Sequence, residues 1–309
     1  MRSGISTIID GRLLYRGCDA VELSETATLE EAAALLWHVN FDITASSDDK
    51  TKLESHQPHS APLERLFTAF AVRAANDLPS SGRSPTILQQ EAFGLLQLFH
   101  NTVLDVSSSN VPLHERIASA WQKPQASDVI RRVLVLLADH ELNASAFATR
   151  VAASTGAPLS AAILAGLSTL IGPRHGRAAT AATAIIAQAR QLGAEAAIKD
   201  QLRQGAQFHL FGHPLYRETG DIRASALLEH LDLPAPYGDL ERSAADILGE
   251  KPNVDFALAA MTEIYELPSD APLFLFALAR IAGWLAHALE QVASGSLIRP
   301  RAEFTSPLE

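Results

Sequence analysis

Alternation of apolar and polar residues, the mark of a half-buried strand, occurs once in this chain, and helical spacing governs everything after it. Ile8-Ile9, a tight Asp10-Gly11 turn and Leu13-Leu14-Tyr15 predict a β-hairpin. Thr28 with Glu31 three residues on forms a capping box, and Leu29, Ala32, Ala33 and Leu36 follow at helical spacing. Residues 41–62 are polar and non-periodic and predict an exposed loop. Helical patterns resume at 63–76, 86–103 and 113–121, broken at 79–82 and 107–110. A further helical run covers 128–139, after which Asn143 or Ser145 can cap the next helix. Between 158 and 171 large and small side chains alternate, so a neighbouring helix can approach closely before Gly172-Pro173 ends the segment. Ser269-Asp270-Ala271-Pro272 starts a long helix carrying Phe274, Leu278, Ile281, Leu285 and Val292. The expected fold class is mainly α, with a short N-terminal β-hairpin.

Composition narrows the function classes. A chain of 309 residues, 47 % hydrophobic and 19 % charged, has the balance of a globular protein able to bury a large core. A net charge of -10 with no Lys/Arg-rich block argues against a nucleic-acid surface. The single cysteine, Cys18, excludes a disulfide framework and a Cys-rich metal site. The first residues lack the apolar run of a signal peptide. The apolar stretch 271–292 carries Arg280, His287 and Glu290, which reads as a core helix rather than a membrane span. A cytoplasmic location is expected.

Three histidines sit in unusual settings: His140 in Asp-His-Glu-Leu-Asn, His175 in Gly-Pro-Arg-His-Gly, and His213 in Phe-Gly-His-Pro-Leu-Tyr. Imidazole changes protonation near neutrality, and a carboxylate beside such groups completes an acid–base set. His140 is not part of a His-Glu-x-x-His zinc motif, because Ala144 fills the second ligand position. His175 precedes a helix, whose N-terminus is expected to keep the imidazole neutral and able to donate an N–H to a developing enol oxygen. After His213 come Tyr216, Arg217, Asp221 and Arg223, two arginines suited to carboxylate or phosphate. Asp255, in Pro-Asn-Val-Asp, reads as an N-cap opening an apolar helix over 256–265. Arg280 falls inside an apolar helix, where a guanidinium must pair with an acid or an anionic ligand. Arg299 and Arg301 form a basic knot in Arg-Pro-Arg-Ala-Glu. Each feature alone also fits a duller role: a helix cap, a turn, a surface cluster.

Their order along the chain resembles the citrate synthase family. The resemblance rests on Ile-Asp-Gly at 9–11, Tyr-Arg-Gly at 15–17, His-Glu-Leu-Asn-Ala-Ser at 140–145 and Ser-Thr-Gly-Ala at 154–157. It continues through Gly-Pro-x-His-Gly at 172–176, Gly-His…Tyr…Gly-Asp-x-Arg at 212–223, Pro-Asn-Val-Asp at 252–255 and Arg-x-x-Gly-Trp-Leu-Ala-His at 280–287. It implies an almost all-helical homodimer, with a large domain of residues 1–176 plus 262–309 and a small mobile domain of 177–261. It implies an acyltransferase that joins acetyl-CoA to oxaloacetate, giving citrate and CoA, with no cofactor and no metal. Asp255 would take a methyl proton, His175 would stabilise the enol, and His213 would polarise the oxaloacetate ketone. His140, Arg223 and Arg280 would bind oxaloacetate, with Arg299 donated by the partner subunit, while Arg217 and Asn253 would bind CoA.

Some positions depart from the family pattern. Arg174, Arg177 and Ala179 replace a usual leucine, glycine and asparagine. His209-Leu210 stands where Pro-Gly is usual, and Ile222 where proline is usual. One extra residue separates His213 from Arg223, and the N-terminal part is short. These departures keep two alternatives open: condensation with propionyl-CoA to 2-methylcitrate, and a catalytically weakened protein that binds CoA or a dicarboxylate.

Overall fold

The computed structural model describes residues 1–39, 60–106, 110–172, 175, 180–205 and 208–304. The expected hairpin is present as β1 (Ser6–Ile9) and β2 (Arg12–Tyr15), paired antiparallel with Ile9 opposite Arg12. Asp10 and Gly11 both have positive φ, 51° and 74°, as a two-residue hairpin turn requires. A second turn of the same kind, Arg16-Gly17, adds the short strand β3 (Cys18–Asp19), which the sequence pattern did not announce.

Fourteen α-helices follow among the described residues. The first six are α1 (Ala20–Ser24), α2 (Leu29–Trp37), α3 (Pro62–Asn76), α4 (Pro85–Leu104), α5 (Leu113–Ala120) and α6 (Ser127–Leu137). Next come α7 (Ala144–Ser154), α8 (Leu159–Leu170), α9 (Thr180–Leu192), α10 (Ala194–Arg203) and α11 (Ile222–Leu228). The last are α12 (Ala235–Leu248), α13 (Val254–Ile264) and α14 (Ala271–Ser294). Thr28 and Glu31 make the expected capping box on α2, and Asn143 caps α7. Most of the predicted loop at 41–62 lies outside the described residues, as do Ser107, Ser108 and Ser109; its last residue, Pro62, already belongs to α3.

Helix α14 is the axis of the molecule and packs against α2, α4, α6, α7 and α8. By length and composition it can cross a membrane, but 89 % of its most apolar window is buried inside the protein. Gly166 carries out the close approach foreseen for the 158–171 segment. A Cβ there would meet Thr149 Oγ1 at 2.4 Å and the Trp284 ring at 3.0 Å, so α7, α8 and α14 interlock at that point. Gly283 brings α14 equally close to the turn after α6, where a Cβ would meet Asp139 Oδ1 at 2.3 Å. Helices α9 to α13 pack chiefly on one another and reach the rest through α11 against α1 and α6, and through α13 against α14. The site lies along that junction.

Candidate active site

The turn after α6 carries His140, and the hairpin holds it in place. Tyr15 is fully buried, and its hydroxyl lies within hydrogen-bond distance of the Val135, Leu136 and Asp139 carbonyls, at 2.9, 3.2 and 3.2 Å. These are orphan acceptors at a helix C-terminus. Ser6 bonds the Asp139 carboxylate and accepts from Glu141 N at 2.9 Å, while Ile8 N donates to Glu141. On the far side, Arg150 Nη1 donates to His287 Nδ1 at 3.2 Å, which leaves the ring proton on Nε2, 3.2 Å from Asp139 Oδ1. Asp139 is thus gripped from both ends of the chain, and its carboxyl lies below the usual range: burial opposes its charge, but His287 leads the groups that overcome it.

His140, His175, His213, Arg217, Arg223, Asn253, Asp255 and Arg280 all line one cavity of about 790 Å³. Arg299 does not; it sits with Pro300, Arg301 and Ala302 on the exposed C-terminal segment. Arg174, Arg177 and Ala179 lie outside the described residues.

The imidazoles in the cavity are neutral. Burial, followed by Arg280, lowers His175 to about 4. Burial, followed by Arg223, lowers His213 to about 4. His140 lies well below the usual range through burial, then Arg223 and Arg280. For His175 the sequence pointed to a helix N-terminus as the cause; the structure instead assigns burial and a neighbouring guanidinium, since α9 starts five residues later. His213 Nδ1 accepts Leu215 N–H at 3.2 Å, so its proton is on Nε2, ready to donate. His175 Nε2 lies 2.8 Å from Ser145 Oγ, which also accepts Trp284 Nε1–H at 3.1 Å. When Ser145 gives its one proton to His175 Nε2, the Nδ1–H of that ring is the remaining donor.

Asp255 is not the N-cap that its position suggested. Asn253 caps α13, accepting from Asp255 N at 3.0 Å, and Asp255 is the second helical residue. Capping is therefore done by its neighbour, and the Asp255 carboxylate accepts no hydrogen bond among the described residues. Burial pushes it up to about 7, with Arg223 opposing and Asp221 adding to the rise. The other end of Asn253 ties the 209–212 segment down, donating to His209 O at 2.7 Å and Gly212 O at 3.2 Å. Leu210, where glycine is usual, is buried and accepts from Asn253 N at 3.0 Å through its carbonyl. Ile222 occupies the first position of α11, behind its cap Asp221, a place where proline is favoured but not required.

The two buried arginines differ. Arg223 forms a bidentate pair with Asp221 at 2.9 and 2.8 Å, and Asp221 also accepts Val254 N at 3.0 Å. Arg280 donates Nε–H to Leu137 O at 2.8 Å and lies 4.6 Å from the Phe276 ring centroid, but its Nη2 has no hydrogen-bond partner. Burial lowers it to about 10, so it remains charged at neutrality. An unanswered guanidinium on a cavity wall calls for an anion. Sequence reasoning missed Phe276, Ser145 and Tyr216; of these only Phe276, one turn before Arg280 on the same helix, had a local signal.

A family model for the citrate synthase C-terminal domain matches residues 1–301. The chain belongs to the citrate synthase family. Among its relatives, citrate synthase 2 of Bacillus subtilis is 30 % identical over 99 % of this chain and 93 % of its own length. The 2-methylcitrate synthase of Shewanella oneidensis is 27 % identical over 94 % of this chain and 88 % of its own. The fold is that of citrate synthase from Thermoplasma acidophilum, solved as a ternary complex with carboxymethyl coenzyme A and oxaloacetate. That structure has a TM-score of 0.80 and 23 % identity, and covers 100 % of this chain and 94 % of its own.

Proposed function

We propose that this protein condenses acetyl-CoA with oxaloacetate to give citrate and CoA. The observation that carries this reading is the convergence in one cavity of a raised carboxylate, two neutral histidines and an unpartnered guanidinium. Asp255 takes a proton from the thioester methyl group. His175 donates a hydrogen bond to the thioester oxygen, lowering the cost of the enol that forms. The enol carbon attacks the oxaloacetate ketone, whose oxygen receives the Nε2–H of His213. Water then cleaves the thioester and releases the CoA thiol. Arg223, Arg280 and His140 hold the dicarboxylate, so the bond-forming step becomes effectively intramolecular. Arg217 at the cavity lining meets the CoA phosphates, and Asn253 shapes the neighbouring loop for CoA.

The working form is a cytoplasmic homodimer serving the tricarboxylic acid cycle. Arg299, exposed and remote from its own cavity, reaches the partner's site. Exposed Phe147 and Val151 on α7 and Val72 on α3 offer the apolar surface for association. Residues 177–261 act as the small domain, closing over the substrates to exclude water. Propionyl-CoA is the alternative donor, favoured by the near-equal likeness to citrate and 2-methylcitrate synthases. Free-thiol release and product mass, measured with oxaloacetate and each acyl-CoA, test the reading. Citrate formation supports it, 2-methylcitrate formation transfers it to the longer donor, and no thiol release with either overturns it.

A further inference from the structure

Tyr216 has no place in the chemistry above and does not line the cavity, yet it touches three groups that do. Its hydroxyl lies 2.9 Å from His140 Nε2, its ring centroid is 5.1 Å from that of His213, and the Arg223 guanidinium carbon is 5.7 Å from the ring. The residue is buried, and its hydroxyl has no other hydrogen bond among the described residues. Its proton therefore has one destination.

A phenol is a stronger donor than a neutral imidazole N–H, and an imidazole nitrogen is a stronger acceptor than a phenol oxygen. The contact is thus O–H···Nε2, with Tyr216 donating. Which imidazole nitrogen carries the ring proton is set by the hydrogen bond at the other nitrogen. With Nε2 accepting, the proton of His140 lies on Nδ1, the one ring atom left to meet a ligand in the cavity. The opposite tautomer would leave a lone pair at Nδ1 and repel a carboxylate.

We propose that Tyr216 is a positioning residue that fixes His140 as an Nδ1–H donor toward the 2-oxo dicarboxylate substrate. The inference rests on the reading that His140 contacts that substrate. It makes recognition of the dicarboxylate depend on a side chain that never touches it.

The test is oxaloacetate binding by calorimetry, without acyl-CoA, to the full-length wild type, Tyr216→Phe, His140→Asn and the double variant. Phenylalanine keeps the ring contacts and removes only the hydroxyl. The expected result for Tyr216→Phe is binding weakened about ten-fold, as for loss of one buried hydrogen bond. The KM for acyl-CoA should stay within about two-fold, and the unfolding midpoint should move by no more than a few degrees. In the His140→Asn background the second substitution should add nothing, because its effect passes through the missing ring. Equal binding by wild type and Tyr216→Phe overturns the inference alone. Additive losses in the double variant, or equal weakening toward both substrates, reduce Tyr216 to packing and also overturn it. Failure of the wild type to bind oxaloacetate overturns the reading of the site, and this inference with it.

Discussion

The two walls of the cavity handle buried charge in opposite ways. On the wall built by the 208–223 segment and α13, Arg223 is locked to Asp221 by two hydrogen bonds, and the same carboxylate accepts Val254 N. Burial opposes the charge on both partners, but each holds the other ionised: the arginine above its usual range, the aspartate below. On the wall built by α14 and the α6–α7 turn, Arg280 is just as buried but has an empty Nη2, and its pKa falls to about 10. Asp139, the nearest acid to it by electrostatic effect, is engaged with His287 and Ser6. One arginine is finished by the protein; the other is left for a ligand. Stability and recognition are therefore divided between the walls rather than blended.

Replacing each arginine's environment separates these roles. Arg280→Met should lower kcat/KM for oxaloacetate by roughly 10²–10³-fold, since a buried charge contact to the substrate is lost. The ligand-free protein should hold or gain stability, because an uncompensated buried cation is replaced by an apolar side chain of similar length. Thermal unfolding and steady-state kinetics on the same preparation check both halves. On the opposite wall, Asp221→Asn leaves Arg223 unneutralised and should cost ~3–5 kcal/mol of stability. Equal stability losses in the two variants would dissolve the contrast between the walls.

A third prediction concerns pH. Asp255 must be ionised to accept a proton, and its carboxyl stands at about 7, so kcat/KM should rise as pH increases through about 7. His175 and His213, at about 4, are already neutral there and should not shape that limb. Stability runs the other way. A carboxyl raised from 3.8 to about 7 contributes stability that is full below 3.8 and is lost as pH rises through about 7. Denaturant unfolding between pH 4 and 8 should therefore decline more steeply for the wild type than for Asp255→Asn. The smallest expected effect is Ser145→Ala, which removes the hydroxyl against His175 Nε2 and should lower kcat about 3- to 10-fold. A change confined to KM for oxaloacetate would move Ser145 to the other substrate.

How much of this was legible in the sequence follows from how local each feature is. The hairpin, the capping box on α2 and the start of α14 depend on residues a few positions apart, and all were readable. The Arg16-Gly17 turn was not, because arginine carries no preference for the left-handed conformation it adopts there. The set of His140, His175, His213, Asp255 and Arg280 was found from motif order, which does not need the fold. Asp255 was misread as a cap because Asn253, two residues earlier, is an equally good capping residue, and spacing does not choose between them. What escaped entirely was long-range: Tyr15 on the α6 carbonyls, Ser145 against His175, and Tyr216 against His140. Those contacts join elements 30 to 120 residues apart, and no periodicity encodes them.

The account turns on Asp255 acting as the base in a cavity that polarises both substrates. Release of CoA thiol from acetyl-CoA in the presence of oxaloacetate, compared between wild type and Asp255→Ala, tests it most directly. The predicted result is steady release by the wild type and a rate roughly 10²–10⁴-fold lower in the variant, with oxaloacetate binding retained. Thiol release at the wild-type rate by Asp255→Ala would contradict it.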